Sequence, residues 1–339
     1  MPALTIPGFV DAHCHAFQRL LRGRAGGGDF WAWRDGMIGL AESLSVDDVR
    51  RTYAGVYREL RAAGYTAVGE FHYLGLEEAR AAAAAADEAG IAFVCLYACY
   101  LRGGSPRFRQ SSVDDYLDQL ERLRADGIRV GVAPHSVRAC PEDALAVLGR
   151  YAAEHELPLH VHADEQPREI DECRAENGVT PIELLGRSGC LGPLTTVVHA
   201  THADGHELDL LRDAEARICV CPTTEANLGD GFLPVARVCH RDIGVCIGSD
   251  SNVRIDPLEE LRELEGIARR QTGTRSVISV DALLGFGSDE GAAALGLEEH
   301  PDAIVDLDHP QLAGVDESGL YECLIFSCDA NVLRKTLDQ

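Results

Sequence analysis

The sequence predicts a (β/α)8 barrel, in which eight parallel strands alternate with helices around a closed sheet. Strand-like apolar runs and helical patterns alternate eight times along the chain. Eight such units over about 270 residues match the usual size of this barrel. A doubly wound sheet, the competing fold, needs a glycine-rich phosphate-binding turn after its first strand. His13-Cys14-His15 stands at that point instead, so the barrel is favoured.

The strands are predicted from short runs rich in Val, Ile and Ala. Such runs are typical of parallel strands whose two faces are both covered by helices. They lie at residues 7–13, 66–72, 91–99, 128–134, 157–162, 194–199, 216–221 and 243–249. Helices are predicted where apolar residues recur every 3.6 positions or where Ala, Leu, Glu and Arg dominate. These segments are 46–63, 76–89, 113–125, 141–154, 181–187, 205–213, 232–240 and 256–270.

The barrel is predicted to occupy residues 1–275, and a C-terminal region at 276–339 is expected to pack on it. That second region contains a helical pattern at 281–295 and a short strand-like piece at 303–307. It does not resemble a second full domain. A small β-sandwich beside the barrel is therefore expected to be reduced or absent.

Composition narrows the classes of partner. The formal net charge is −24 at pH 7, which argues against nucleic acid and anionic membranes as partners. Lys335 is the only lysine among the 31 Lys and Arg residues. An acidic, lysine-poor surface suits a salt-rich cytoplasm, and a GC-rich genome that exchanges Lys for Arg is the other explanation.

The chain is expected to be a reduced cytoplasmic protein. Its first residues lack a basic segment followed by an apolar run, so no signal peptide is expected. The longest apolar run, near residues 91–100, is too short to cross a bilayer. Five of the 12 cysteines, Cys95, Cys99, Cys219, Cys221 and Cys246, lie in apolar strand-like runs, where Cys behaves as a small hydrophobic residue rather than a disulfide partner.

Polar groups that can bind a metal stand where predicted strands end. His13 and His15 follow the first strand, two residues apart, so both can point to the same face. His162, His199 and Asp250 end three later strands. Because the carboxyl ends of barrel strands meet at one face, these side chains are expected to converge. Alone, His199 also fits a core histidine and Asp250 a helix cap, but their shared position favours a metal site.

Three histidines and one aspartate with an open position describe a hydrolytic metal centre. Zinc is the default ion for this set, with iron as the alternative. Glu165, three residues after His162, is a carboxylate that can turn back toward the same ion. Binuclear barrel hydrolases bridge two metals with a carboxylated lysine on a middle strand. Because Lys335 lies outside the predicted barrel, a single divalent metal is expected, which suits deamination better than phosphoester cleavage.

On these residues the chain resembles the amidohydrolase superfamily and, within it, the formimidoylglutamate deiminases of histidine degradation. The resemblance runs from about residue 8 to residue 270. It rests on residues 12–19 (AHCHAFQR), 30–34 (FWAWR), 63–66 (AGYT), 70–73 (EFHY), 133–138 (APHSVR), 199–204 (HATHAD), 224–231 (TEANLGDG) and 248–251 (GSDS). The metal motifs are common to the superfamily, whereas FWAWR, EFHY and APHS are typical of this deiminase.

The resemblance implies a role for each matching residue. The metal ligands would be His13, His15, His162 and Asp250. Glu165 and His199 would act as the catalytic acid and base, together with Asp250. The substrate-binding residues would be Gln18, Arg34, Tyr73, His135 and Arg138. Arginine suits a dicarboxylate substrate because its planar fork binds a carboxylate through two hydrogen bonds, and replacing Arg138 by Met is therefore expected mainly to raise KM.

The chain departs from the family pattern at both ends. Family members normally begin with about fifty residues of β-structure that pair with C-terminal strands, whereas here the first strand starts almost at once. The loop at 22–29 is also short and glycine-rich. The first departure concerns stability and the homodimer that the resemblance implies, and the second concerns the placement of Arg34.

The expected reaction is hydrolysis of N-formimidoyl-L-glutamate to N-formyl-L-glutamate and ammonia. Two alternatives stay open at this point. One is deamination of another amidine or of a purine- or pterin-type base, which would favour aromatic stacking over paired arginines. The other is a truncated barrel that binds metal or a ligand without catalysis.

Overall fold

The computed structural model describes residues 3–24 and 27–333. Outside these ranges lie residues 25 and 26 of the 22–29 loop. The 334–339 end of the predicted C-terminal region, which includes Lys335, also lies outside them. The strands are β1 (Ala3–Pro7), β2 (Phe9–Cys14), β3 (Tyr65–His72), β4 (Ala92–Cys99), β5 (Val130–Pro134), β6 (Leu159–Ala163), β7 (Thr195–His199), β8 (Arg217–Val220), β9 (Val245–Ile247) and β10 (Asp302–Asp306).

Strands β2 to β9 form one parallel sheet in which each strand pairs with the next along the chain. The ring closes where β2 meets the residues after β9. There the His15 N–H donates to the Asp250 carbonyl at 2.8 Å, and the Asp250 N–H donates to the His13 carbonyl at 2.9 Å. The predicted eight-stranded barrel is confirmed, and its closing hydrogen bonds lie among predicted metal ligands.

The α-helices are α1 (Phe30–Ser43), α2 (Val46–Ala62), α3 (Leu76–Ala89), α4 (Val113–Ala125), α5 (Glu142–Glu154), α6 (Pro167–Asn177), α7 (Pro181–Arg187), α8 (Gly205–Asp213), α9 (Pro222–Leu228), α10 (Val235–Cys239), α11 (Pro257–Thr272), α12 (Val280–Gly287), α13 (Asp289–Ala294) and α14 (Leu320–Ser327). Each predicted barrel helix has its counterpart among them. Helices α1, α6, α9 and α14 were not predicted. The first three each follow a barrel strand or its loop and carry residues of the site described below.

Local sequence explains how the elements begin and where they pack. Helix α2 starts with a capping box, in which the Ser45 side chain accepts from the Asp48 N–H and Asp48 accepts from the Ser45 N–H. Strand β3 is buried along its whole length, as expected for a strand covered by helices. Gly248 is required because a Cβ atom there would lie 2.7 Å from the His13 carbonyl oxygen. This close approach brings the segment before Asp250 against β2.

Strands β1 and β10 form a separate two-stranded antiparallel sheet, with Leu4 opposite Val305. The helical pattern at 281–295 corresponds to α12 and α13. Helix α13 packs against β2 closely enough that a Cβ atom on Gly291 would lie 2.8 Å from the Val10 Cβ. Within the described ranges, no helix combines the length and apolar character needed to span a membrane.

Candidate active site

The predicted metal ligands meet at the carboxyl end of the barrel. His13 and His15 come from the end of β2, His162 from β6 and Asp250 from the turn after β9. One donor atom from each of the four lies within 4.8 Å of the others, and all four side chains are buried. The structure thus brings together side chains that are far apart in sequence.

The hydrogen bonds of the rings decide which nitrogen atoms are free to bind. His15 Nδ1 lies 2.9 Å from the Phe71 carbonyl oxygen, and His162 Nδ1 lies 2.9 Å from the His135 carbonyl oxygen. A carbonyl can only accept, so in both rings Nδ1 carries the proton and Nε2 carries a lone pair. Nε2 of His13 lies 3.2 Å from that of His15 and 3.0 Å from that of His162.

The positions and charges of the four ligand side chains fit a bound cation. Burial lowers the pKa of His13, His15 and His162, which favours the neutral ring, the form that coordinates a metal. Asp250 Oδ1 adds a negative oxygen 3.3 Å from the His15 Nε2. Converging lone pairs repel one another unless a positive ion lies between them. The residues therefore fit a divalent metal.

The backbone at these positions is strained. His199, Ala200 and Asp250 have positive φ angles of 75°, 50° and 44°, a region that residues other than glycine rarely adopt. Each such residue costs roughly 1–3 kcal/mol and persists where the surrounding structure requires it. Two of the three carry predicted catalytic side chains, so the strain is concentrated at the site.

A second group of side chains adjoins the ligand cluster. His199 Nε2 lies 3.7 Å from Glu165 Oε1 and 3.8 Å from Asp250 Oδ2. Burial lowers the pKa of His199, but Glu165, a hydrogen bond to Glu225 and Asp250 outweigh burial and raise the pKa to about 10. A divalent ion in the adjacent cluster would oppose that rise and favour the neutral ring.

Glu165 is itself held from several sides. Arg138 Nη2 donates to Glu165 Oε2 at 3.3 Å, and Arg138 Nε lies 3.6 Å from Glu169 Oε1. The Glu165 N–H donates to Glu169 Oε2 at 3.1 Å, and the Thr201 hydroxyl donates to the Glu165 carbonyl at 3.0 Å. Because its backbone and carboxylate are both bonded, Glu165 is fixed in place.

A cavity of about 450 Å³, open on one side, lies above the cluster. Its wall includes every predicted substrate-binding residue: Gln18, Arg34, Tyr73, His135 and Arg138. Gln18 donates to the Tyr73 hydroxyl at 3.0 Å. The short 22–29 loop does not prevent Arg34, on α1, from reaching the cavity.

The cationic end of the cavity has an aromatic support. The guanidinium carbon of Arg168 lies 4.3 Å from the centroid of the Trp31 ring. Those of Arg138 and Arg34 lie 5.8 and 6.0 Å from the same centroid. Among the described residues, Arg34 makes no ion pair. Arg138 Nη1 is buried and has no hydrogen-bond partner among them. Both arginines can therefore bind an anionic group.

Sequence reasoning missed two buried carboxylates of the site, Glu169 and Glu225. Glu169 lies in the first turn of α6, where its carboxylate accepts from the N–H of Glu165 just before the helix. Glu225 lies on α9, within the TEANLGDG segment quoted for the family resemblance. In both cases the helix was not predicted, so no side of it could be assigned to the site.

Comparison with known proteins identifies the family to which the chain is similar. The model of the amidohydrolase family matches residues 4–301. A formimidoylglutamate deiminase from Pseudomonas aeruginosa is 36% identical over 77% of this chain and 63% of its own length. A 5-methylthioadenosine/S-adenosylhomocysteine deaminase from Haloarcula marismortui is 30% identical over 98% of this chain and 79% of its own. This chain thus spans less than two thirds of the first of these relatives.

Solved structures agree on the fold. An adenosine deaminase from Xanthomonas campestris with bound zinc superposes with a TM-score of 0.88 at 22% identity, covering 98% of this chain and 78% of that one. An amidohydrolase from Brucella melitensis gives 0.83 at 28% identity, covering 97% and 84%. With a matching barrel, a converging ligand cluster and a family match over most of its length, the chain belongs to the amidohydrolase family.

Proposed function

We propose that the protein is a metal-dependent iminohydrolase that converts N-formimidoyl-L-glutamate and water into N-formyl-L-glutamate and ammonia. The observation that carries this proposal is the presence of Arg34 and Arg138 in the wall of the cavity that also contains the His and Asp cluster. The reaction would belong to histidine degradation in the cytoplasm. All 12 cysteines are unpaired and most are buried, which is compatible with a reducing compartment.

The chemistry of the substrate matches the two ends of the cavity. N-formimidoyl-L-glutamate carries two carboxylates at one end and an amidine at the other. Arg34 and Arg138 supply donors for the carboxylates, and Gln18, Tyr73 and His135 add neutral polar contacts. The amidine would then lie toward Glu165, His199 and Asp250. A dicarboxylate substrate also explains why an acidic protein concentrates arginines at this opening.

We further propose that one divalent ion, zinc by default or iron, is held by His13, His15, His162 and Asp250. Such an ion lowers the pKa of a water molecule and makes it a nucleophile at neutral pH. Asp250 and His199 would take the proton of the attacking water as a C–O bond forms at the formimidoyl carbon. Glu165 would give a proton to the terminal imine nitrogen, which forms a tetrahedral adduct with an NH2 group. The proton taken up by His199 would then pass to this nitrogen while the hydroxyl of the adduct returns a proton to Glu165, so that the C–N bond breaks, ammonia leaves and the formyl C=O forms.

Deamination of a purine-type substrate is the second candidate. The relative from Haloarcula marismortui is named for such a reaction, and Phe30, Trp33, Tyr73 and Tyr100 give the cavity aromatic surface. An adenine ring, however, would leave Arg34 without an anionic partner, whereas Arg138 already pairs with Glu165 and Glu169. For this reason the dicarboxylate is favoured.

The test compares ammonia release from N-formimidoyl-L-glutamate with release from S-adenosylhomocysteine, adenosine and guanine on one preparation. Metal content is measured by elemental analysis on the same sample. The proposal expects a stoichiometric transition metal and a kcat/KM for formimidoylglutamate at least 100-fold above the others. A preference for a purine substrate would overturn the assignment. A protein that takes up no metal would favour the non-catalytic barrel.

A further inference from the structure

We propose that Glu225 is a positioning residue that orients the His199 ring for proton transfer. The proposal concerns a residue with no role in the predicted site, and it rests on the proposed function for the catalytic use of His199. Glu225 would act through His199 rather than by touching the substrate, since it does not line the cavity.

The contact between the two side chains is direct and buried. Glu225 Oε1 lies 3.2 Å from His199 Nδ1, and each side chain has 1% of its surface exposed. An ionised carboxylate can only accept, so Nδ1 carries the proton in this contact. The other ring nitrogen, Nε2, then faces Glu165 and Asp250, and it has no hydrogen-bond partner among the described residues. The contact therefore places the proton-exchanging nitrogen toward the reacting groups.

Glu225 is held firmly enough to fix the ring. It lies in α9, where its Oε1 also accepts from the Cys221 N–H at 3.0 Å. The residues before it are anchored too: the Thr224 hydroxyl donates to the Ser249 carbonyl at 3.1 Å, and the Thr223 N–H donates to Glu260 at 3.0 Å. Since α9 cannot easily rotate, the carboxylate presents a fixed acceptor to His199.

A purely structural explanation is that Glu225 caps the start of α9 through the Cys221 N–H. That explanation accounts for one hydrogen bond only. It does not require a carboxylate whose second oxygen, Oε2, is buried without a partner among the described residues. A short exposed Ser, Asn or Asp would cap the helix at lower cost. The two explanations differ in what the ring does when Glu225 is replaced.

Kinetics of three variants give the first test. Glu225→Ala should lower kcat about 100-fold, the upper range for loss of a group that supports a site residue, while KM and metal content stay unchanged. Glu225→Gln should recover activity to within 10-fold of the parent, because the Cys221 N–H keeps the amide oxygen where Nδ1 can donate to it. Glu265→Gln is the matched control, since this buried carboxylate accepts from the Val277 and Ile278 N–H groups. It should lower stability and leave kcat unchanged.

The second test needs no substrate and is made on zinc-loaded protein, because a bound divalent ion opposes the rise in the pKa of His199 and favours the neutral ring, whose tautomer can be measured. In protein labelled with 15N-histidine, the His199 signals are assigned by their loss in His199→Gln. The parent protein should show a protonated Nδ1, and Glu225→Ala should shift the ring toward a mixture of the two tautomers. A parent protein protonated only on Nε2, or a Glu225→Ala variant with unchanged kcat and tautomer, would overturn the proposal. If formimidoylglutamate is not the substrate, the tautomer measurement still decides the role of Glu225.

Discussion

The Nε2 atoms of His13 and His162 lie 3.0 Å apart, although 149 residues separate the two histidines in the chain. Neither ring can relieve this approach by rotating freely, because His162 is bonded to the His135 carbonyl and both rings are buried. At this separation one ion placed between the rings can bind to both Nε2 atoms. The pair therefore links the fold directly to metal binding.

Metal removal is expected to abolish activity and lower stability. At free metal 1,000-fold above its Kd, binding stabilises the folded state by about 4 kcal/mol, which a chelator would remove. Thermal unfolding and ammonia release are measured before and after chelation. His162→Gln should lose the metal, whereas the control His160→Gln should keep it, because His160 Nε2 instead contacts the Ala294 carbonyl oxygen at 2.8 Å. Equal metal content in both variants would exclude His162 as a ligand.

Glu165→Gln is expected to leave the metal bound and to lower kcat by about 10²–10⁴-fold, the usual contribution of a general acid or base. The amide retains the shape of the side chain but cannot transfer the proton. Turnover and metal content are measured on the same preparation. Glu172→Gln, an exposed carboxylate on α6 that pairs with Arg168, serves as the control. Full activity in Glu165→Gln would remove Glu165 from the proposed mechanism.

Arg34 and Arg138 should differ in their effects on kinetics. Arg34→Met should mainly raise KM, by 10-fold or more, since Arg34 has no ion pair with a described residue and would hold only substrate. Arg138→Met should raise KM and also lower kcat, because Arg138 donates to Glu165. This hydrogen bond changes the expectation from sequence, in which the replacement of Arg138 by Met would mainly raise KM. Steady-state kinetics of both variants on formimidoylglutamate check the difference, and an unchanged kcat in Arg138→Met would restore the simpler expectation.

Asp164→Asn is expected to stabilise the protein, by about 1 kcal/mol, and more so as pH rises. Burial, followed by the nearby Glu207 carboxyl, raises the pKa of Asp164 well above its ordinary value of 3.8. The folded state therefore holds this proton more tightly than the unfolded state. The stabilisation that this bound proton gives is fully present below the pKa that Asp164 has in the unfolded state. It is lost as pH rises through the pKa that Asp164 has in the folded state.

Thermal unfolding of Asp164→Asn at pH 5 and pH 8 checks this prediction. Asp242→Asn is the matched control, since Asp164 and Asp242 share a φ angle of 54° and only Asp242 is exposed. The control should change the Tm equally at both pH values. A gain from Asp164→Asn that is no larger at pH 8 than at pH 5 would contradict the argument.

Salt should raise the Tm because it screens the repulsion between the excess negative charges of the protein, whose net charge is −24. The screening length falls from about 10 Å at 0.1 M salt to about 3 Å at 1 M, and each 1 kcal/mol gained corresponds to roughly 1–2 °C for a chain of this length. The Tm is measured in NaCl from 0.1 to 3 M, with sucrose as a control for non-ionic effects. A rise that ends near 1 M would reflect screening alone. A continued rise would favour adaptation to a salt-rich cytoplasm.

The barrel could be predicted from sequence because its strands are buried on both faces and are therefore rich in apolar residues. The ligand positions could be predicted for the same reason, since a histidine or aspartate at the end of such a run is conspicuous. His13, His15, His162 and Asp250 converge as expected. The division of the chain at residue 275 stays a prediction.

The helices above the barrel mouth could not be predicted, and their composition explains why. Helix α1 contains Gly36 and Gly39, which weaken a helical pattern. Helix α6 buries few apolar side chains, and α9 begins with a proline followed by two threonines. These helices cover a polar cavity, so they lack the apolar stripe that marks a core helix. Glu169 and Glu225 lie on them and were missed with them.

The hydrogen bonds that join His13 and His15 to Asp250 have a consequence for the order of assembly. The first and last strands of the ring come from opposite ends of the barrel sequence, so the contact between them closes a long loop at a high entropic cost, and we expect it to form late in folding. The complete set of donors cannot exist until that contact has formed. Metal uptake should therefore report that the barrel has closed, and a bound ion would link the end of β2 to the residues that follow β9.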